Sequence, residues 1–333
     1  MTAEPTLANI GFDSAAGICF LFPGQGAYLE EIFLDLAGDW PQVGRTFDDI
    51  DCELTSSGAE AISPILFSGS PPSLKQLLSD DPDTLQLVLF GTAVAVYRIL
   101  CSQGINPAVL AGHSLGEVAA LVAAGVFTTG EGARIVHLRS QCLNGSADAG
   151  GMLAVRGTAR RSQALVDLLA ADGLVVAVEN GPHQTVLAGP GEALSRAEKI
   201  AREAELPSLR IASAYPFHSP LLAGPAVEFR HRLDAVTSGR RPLRTAVYSP
   251  ILARFYTDDD DFAEVLSSHL VRPVRFCAAL RYLHESGAKV FVECGARDAL
   301  VGIVRKTLPA AIAVPTVIRG RSGALLLPQP PGR

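Results

Sequence analysis

The sequence has no excess of basic charge. Among its 333 residues are 28 Lys and Arg against 34 Asp and Glu, a net charge of −6. A nucleic-acid-binding surface needs a basic stripe that this balance does not supply. The sequence also lacks any uninterrupted apolar run of about 18 residues, which argues against a transmembrane helix. Its mean hydropathy of +0.26 comes instead from scattered Ala, Val and Leu. The opening segment MTAEPTLANIGFDSAAG has no basic cluster ahead of an apolar stretch, so no secretory signal is read there. Cysteine is sparse: six residues, at 19, 52, 101, 142, 277 and 294, with no C-x-x-C pair. Scattered in this way they read as small core hydrophobes of a reduced, cytoplasmic protein rather than as a disulfide framework.

What is present is enough chain for two domains or one large one, and for a core that needs no staples. Residues 1–16 and 320–333 read as tails, the second ending in a Pro/Gly cluster. Between them apolar strand-like runs alternate with helical stretches. Ile18–Phe22 reads as a buried strand, 85–103 as a buried helix, 108–111 as a strand, 115–124 as a helix and 131–145 as an amphipathic helix ending at Gly145. The texture then changes. Residues 152–155, 159–171, 174–179, 185–188, 192–205 and 209–211 read as strand, helix, strand, strand, helix, strand. That order is the split arrangement of a ferredoxin-like unit. It is followed by helix 222–236, strand 246–249, helices 261–270 and 276–286, strand 289–293 and helix 297–306. The expected architecture is a discontinuous large α/β domain, 1–149 and 214–320, with a parallel sheet core of α/β-hydrolase-like type. A ferredoxin-like domain at 150–213 is inserted in it, and 321–333 forms a tail. The acidic run Asp258–Asp261 reads as a solvated helix start rather than a metal site.

The sharpest local signal is Gly112-His113-Ser114-Leu115-Gly116, between a strand and a helix. That is the setting of a nucleophile elbow. Glycines on both sides permit a tight turn, and Ser114 stands where free helix N–H groups favour developing negative charge. The bland reading is a helix-capping Ser. A nucleophilic Ser needs a base. Of seven histidines, His113 diverges from its neighbour Ser114 on an elbow and packs under the turn. His137, His231 and His284 lie in amphipathic helices, His183 lies in a turn, and His269 ends a helix. His218 lies in Tyr215-Pro216-Phe217-His218-Ser219-Pro220 at the domain junction, where two Pro stiffen the backbone toward a cleft. A second Gly-rich turn, Phe22-Pro23-Gly24-Gln25-Gly26, follows the first strand. It reads either as a weak phosphate loop, lacking the Lys of a P-loop, or as a backbone donor for an oxyanion.

Together these motifs resemble the malonyl-CoA:acyl carrier protein transacylase family, which includes the acyltransferase domains of fatty-acid and polyketide synthases. FPGQG at 22–26, GHSLGE at 112–117, LRS at 138–140, ENGPHQTVLAG at 179–189, FHSP at 217–220, RPVRF at 272–276 and VECGARDAL at 292–300 stand in the family's order. The resemblance runs from about Gly17 to Val317. It implies ping-pong acyl transfer with Ser114 as nucleophile and His218 as general base. Gln25 and Leu115 would supply oxyanion N–H groups, and the backbone carbonyl of His269 would orient the base. Many relatives carry Gln or Asn at that last position. Arg139 matches the Arg that pairs with the free carboxylate of malonyl-type substrates, a task suited to a planar guanidinium. Gln86, Tyr215 and Phe217 match positions lining the substrate pocket. Leu115 and Phe217 follow the malonyl pattern, while Tyr215-Pro216 departs from both common tetrapeptides.

The resemblance further implies acyl-CoA as substrate, no bound cofactor or metal, and an acyl carrier protein with its phosphopantetheine arm as partner. No nucleic acid or membrane is involved, and a monomer is expected. Arg240, Arg241, Arg272, Arg275 and Arg297 are candidates for a basic carrier-facing patch. Beginning with Met and carrying no ketosynthase or carrier segment, the chain reads as a free-standing, trans-acting enzyme, with polyketide biosynthesis favoured over fatty-acid synthesis. Two further readings share the fold. One is an editing hydrolase using the same Ser114 and His218, against which Arg139 argues. The other is a non-catalytic docking subunit, against which the complete residue set argues.

Overall fold

The structure is a computed structural model, and it describes residues 17–30, 32–146, 149–213, 215–319 and 325–326. The tail at 1–16 lies outside the described residues, as does most of 320–333. The larger sheet is built on β1 (Ile18–Phe22), every residue of which is buried. Its parallel neighbours are β2 (Val109–Gly112) on one side and β9 (Val290–Glu293) on the other. β7 (Ala246–Ser249) continues beyond β2, and β10 (Ile312–Val314) beyond β9, both parallel. A short β8 (Arg254–Phe255) closes the β7 edge antiparallel, giving the order β10-β9-β1-β2-β7-β8. Strands buried on both faces read as continuous apolar runs, as ICFLF does. The chain adds β2, β7 and β8 on one side of β1 and then returns to add β9 and β10 on the other, and the loops after β1 and β2 lie at the carboxyl ends of the strands, where open α/β sheets hold ligands.

Helices cover this sheet. α1 (Phe33–Asp39), α2 (Pro41–Ser56), α3 (Ser63–Leu66) and α4 (Leu74–Asp80) occupy a stretch for which the sequence reading offered no elements. α5 (Pro82–Ser102) is the expected buried helix. It is long and apolar enough to cross a membrane by composition, but 83% of its most apolar window is buried inside the protein. α6 (Gly116–Ala123) and α7 (Thr129–Leu143) follow β2, and a Thr128/Glu131 capping box starts α7.

The chain then builds β3 (Gly151–Val155), α8 (Ala159–Leu169), β4 (Val175–Gly181), β5 (Gln184–Gly189), α9 (Gly191–Glu203) and β6 (Ser208–Ile211). These strands form a separate antiparallel sheet in the order β4-β5-β3-β6. Leu153, Leu165, Leu187, Leu194 and Ala197 form a second core, independent of the main one. The main core takes up Met152, Ala177, Val178, Val186 and Ala188. The backbones are also stitched together: Val178 bridges Val274, and Glu179 N–H donates to the Val274 carbonyl at 2.8 Å.

α10 (Ala223–Thr237), α11 (Phe262–Ser268), α12 (Phe276–Glu285) and α13 (Ala299–Thr307) complete the large unit. The acidic run resolves as a helix start: Asp261 caps α11 by accepting from Glu264 N–H, and Asp260 pairs with Arg254. The expected tail is corrected at one place. Leu325–Leu326 forms β12, antiparallel to β11 (Ile318–Arg319), because this short segment finds backbone partners there.

Candidate active site

The elbow after β2 is pressed against the loop after β1. A Cβ on Gly112 would stand 2.2 Å from Glu117 N, one on Gly116 2.0 Å from the Phe22 carbonyl oxygen, and one on Gly24 2.7 Å from the His113 carbonyl oxygen. Only glycine allows backbones so close. The turn drives Ser114 into the left-handed region, at φ 56°, where a non-glycine residue is strained. Leu115 and Gln25 carry no hydrogen bond on their backbone N–H groups among the described residues; Leu115 adjoins Ser114 in the chain, and Gln25 follows Gly24, which packs on the His113 carbonyl.

Ser114 Oγ lies 2.7 Å from His218 Nε2. His218 is itself at φ 61°, held by a turn that follows α11. Its backbone N–H donates to the Leu270 carbonyl at 2.8 Å, and Nδ1–H donates to the Arg272 carbonyl at 2.9 Å. That bond fixes the tautomer, leaving the Nε2 lone pair to face the Ser hydroxyl. The role expected of the His269 carbonyl is shared with a second residue of the same turn. The carbonyl hydrogen-bonded to Nδ1 is Arg272's, and the His269 backbone acts on the imidazole as a smaller influence behind it. The cause is where α11 stops: it ends at Ser268, and the carbonyls of the following turn close over the His218 ring. Burial, then the charges of Arg139 and His113, push His218 down to about 3, so at neutral pH it is an unprotonated base.

Arg139 reaches the same place from α7. It is 6% exposed, and its guanidinium stands 4.6 Å over the Phe217 ring. One guanidinium nitrogen donates to Gln86 Oε1, and Gln86 Nε2 donates to Ser140 Oγ at 2.8 Å. Among the described residues Arg139 has no carboxylate partner, and burial lowers it to about 10. A buried cation without an anion is costly unless something arrives to pair with it. Tyr215 is buried edge-on against Phe217 at 5.6 Å, so both pocket aromatics sit beside the guanidinium. A small cavity of about 10 Å³ is lined by Ser114, Leu115, Val118, Ile135, Arg139, Phe229, Leu266 and His269. A larger groove beside the Gly181–Gln184 turn touches neither Ser114 nor His218.

Other expected positions divide. His113 packs under its turn, edge-on to Phe276, and its Nε2 meets Asn180 Oδ1 of β4 at 2.7 Å. His137 lies at the core edge with Nδ1 2.7 Å from Asp83. The five Arg do not form one patch. Arg241 is paired with Glu131 and Arg240 lies over Phe262, whereas Arg272, Arg275 and Arg297 are exposed. Asn180, part of the ENGPHQTVLAG motif, was assigned no role of its own from the sequence, and the structure pairs it with His113. Another group is buried behind the elbow: Tyr256 Oη lies 2.6 Å from Glu117 Oε2 and 3.0 Å from His269 Nε2. A Glu in the otherwise apolar start of α6 was the sequence signal for it.

The chain has counterparts among known proteins in sequence and fold. The sequence profile of the acyl transferase domain matches residues 19–327. The chain is 30% identical over 295 residues to the malonyl CoA-acyl carrier protein transacylase of Bacillus subtilis (strain 168), covering 87% of this chain and 90% of that one. It is 31% identical over 310 residues to the polyketide synthase GfsA of Streptomyces halstedii, covering 92% of this chain but only 4% of that protein. The solved malonyl CoA-acyl carrier protein transacylase of Coxiella burnetii superposes with a TM-score of 0.80 at 28% identity, covering 90% of this chain and 93% of that one. With the profile spanning nearly its whole length and a relative of matching extent, this chain belongs to the acyl transferase domain family.

Proposed function

We propose that the protein moves a malonyl-type acyl group from coenzyme A to the phosphopantetheine thiol of an acyl carrier protein, through an ester on Ser114. The observation that carries this reading is Arg139, a buried guanidinium with no carboxylate partner among the described residues, opening on the same cavity as Ser114, whose Oγ meets His218. A pair of this kind attacks acyl groups; a fixed cation in its pocket selects acyl groups that end in a carboxylate.

In the first half-reaction Ser114 Oγ attacks the thioester carbonyl while His218 Nε2 takes its proton. The C–O bond forms, the C–S bond breaks, and His218 returns the proton to the departing thiol. The carrier thiol then repeats the steps in reverse. N–H groups of Gln25 and Leu115 would hold the oxyanion, and losing one such donor typically costs about 2.7–4 kcal/mol. Gln86 holds the guanidinium edge, leaving the rest for the substrate carboxylate. Tyr215, Phe217 and Leu115 bound the space for an α-substituent, where one methyl is worth about 1–3 kcal/mol of discrimination. Acyl-CoA enters as substrate, and no cofactor chemistry is required.

Exposed Arg272, Arg275 and Arg297 near the site suit an acidic carrier. The separate strand order and second core of 150–213 support reading it as a ferredoxin-like insertion. The parallel sheet of 1–149 and 214–320 supports reading the rest as an α/β-hydrolase-like unit. Similarity to polyketide synthase segments favours polyketide biosynthesis. The test separates transfer from hydrolysis. Acyl-enzyme incubated with phosphopantetheinylated carrier yields acyl-carrier and stays loaded without it. Rapid loss of the acyl group in the absence of any thiol would instead assign an editing hydrolase.

A further inference from the structure

We propose that Asn180 is a positioning residue for the Ser114–His218 pair, and that β4 of the 150–213 unit is the common support on which both halves of the pair are set. The proposal rests on the acyl-transfer reading above and gives that unit a part in the chemistry.

Asn180 is buried near the end of β4, where the ladder with β5 slips by one residue. Glu179 stands opposite Thr185 and Gly181 opposite Gln184, so Asn180 takes no place in the ladder. A bulge of this kind re-aims a side chain, and here the amide leaves its own sheet for the large unit. Its Oδ1 lies 2.7 Å from His113 Nε2. An amide oxygen only accepts, so Nε2 carries the hydrogen. His113 is the residue before Ser114. Its backbone N–H donates to the Phe22 carbonyl at 2.8 Å, and its ring is edge-on to Phe276 at 4.9 Å. With the Asn180 bond added, the elbow is gripped from β1, α12 and β4.

The same strand reaches His218. A second slip in the ladder falls at Ala177, between Val176 opposite Leu187 and Val178 opposite Val186. The Ala177 carbonyl accepts from Val274 N–H at 2.9 Å, and Glu179 N–H donates to the Val274 carbonyl at 2.8 Å. Two residues before Val274 is Arg272, whose carbonyl accepts from His218 Nδ1–H. Both irregularities of β4 therefore fall where the strand turns from its own sheet to the frame of the catalytic pair. Asn180 does not line the cavity of Ser114 and Arg139, so it acts on the nucleophile through His113 and not on substrate.

The test uses the full chain and two reagents: malonyl-CoA, followed by rapid-quench mass spectrometry, and a small fluorophosphonate that labels Ser114 and carries no carboxylate. Asn180→Leu removes the acceptor at near-equal size. It is expected to lower both the fluorophosphonate rate and the maximal acylation rate by about 10–100-fold, the scale of a small misplacement of a reacting group. The half-saturating malonyl-CoA concentration should stay within about twofold, since no bond to substrate is lost. Ser162→Ala is the control. It deletes a buried side-chain bond of 2.6 Å to Thr185 within the same unit. Both of its rates should stay within about twofold of the parent, the lost bond being remote from the elbow. Because Asn180 acts through His113, the double variant Asn180→Leu with His113→Leu should be no slower than His113→Leu alone. An unchanged labelling rate in Asn180→Leu overturns the proposal, as does an equal loss in Ser162→Ala, which would make the effect a general loosening of the unit. A raised half-saturating concentration with an unchanged maximal rate also overturns it, and would make Asn180 a substrate contact. Should Asn180→Leu fail to fold, Asn180→Ala carries the same measurements. If the parent is labelled by fluorophosphonate but never by malonyl-CoA, the acyl-transfer reading fails, while the fluorophosphonate rates still decide the role of Asn180.

Discussion

Ser114 and His218 face each other across 2.7 Å with both backbones in the left-handed region, at φ 56° and 61°. Each is held there by its surroundings: Ser114 by the glycine-lined elbow, His218 by two carbonyls of the turn after α11. Strain of this kind persists where neighbouring structure over-determines it, and it pre-sets the pair for reaction. Removing the base by His218→Ala should slow acylation by about 10²–10⁴-fold while leaving acyl-CoA binding nearly intact. Single-turnover acylation rates and equilibrium binding, measured on the same variant, check the two halves of that statement.

Arg139 gives a paired prediction. Arg139→Met removes a buried cation that has no anion until substrate arrives, so the free protein should melt no lower than the parent. The same change should lower malonyl acylation by about 10–100-fold, since a charge-assisted pair is lost. Arg139→Lys should recover only part of this, a point charge being unable to make the bidentate contact. Thermal melting without ligand and kcat/KM with malonyl-CoA test both.

Gly116 tests the interlock beneath the site. An added Cβ would stand 2.0 Å from the Phe22 carbonyl oxygen, a backbone atom that cannot swing away. Gly116→Ala should cost about 1–3 kcal/mol or more of stability. Gly44→Ala, at a helix position with open space around the new methyl, should not destabilise. Urea midpoints of the two variants make the comparison.

Stability should fall on both sides of an acidic plateau. His218 and His269 are lowered from 6.5 to about 3, so below pH 6.5 the unfolded chain binds more protons and stability falls with pH. Glu117 and Glu293 are raised from 4.5 to about 8, so above pH 4.5 the folded chain binds more protons and stability falls as pH rises. Between pH 4.5 and 6.5 the two effects oppose each other. Melting temperature against pH should therefore be flattest there, with Glu293→Gln softening the alkaline limb.

Much of this site is legible in the sequence because its parts are local. A strand, a Gly-flanked Ser and a helix are adjacent in the chain, and the structure keeps them so. His218 stands out through its Pro neighbours at a change of texture. Arg139 is different: nothing in an amphipathic helix marks one Arg as buried, and the family resemblance alone singles it out. The carbonyl that accepts from His218 Nδ1–H at 2.9 Å stands three residues beyond the expected His269, because the end of a seven-residue helix is weakly encoded. α1, α3 and α4 are too short for propensity to mark. α2 is not, since Val43, Phe47, Ile50 and Leu54 recur at helical spacing and all four are buried. The Glu117–Tyr256–His269 chain joins residues up to 152 positions apart, beyond what spacing can show.

The most direct measurement is the intact mass of the protein after brief exposure to malonyl-CoA and to acetyl-CoA, with Ser114→Ala as control. The account predicts a malonyl adduct on the parent, none on Ser114→Ala, and little or no acetyl adduct because Arg139 requires a carboxylate. A malonyl adduct that survives in Ser114→Ala, or equal loading by acetyl-CoA, would contradict it.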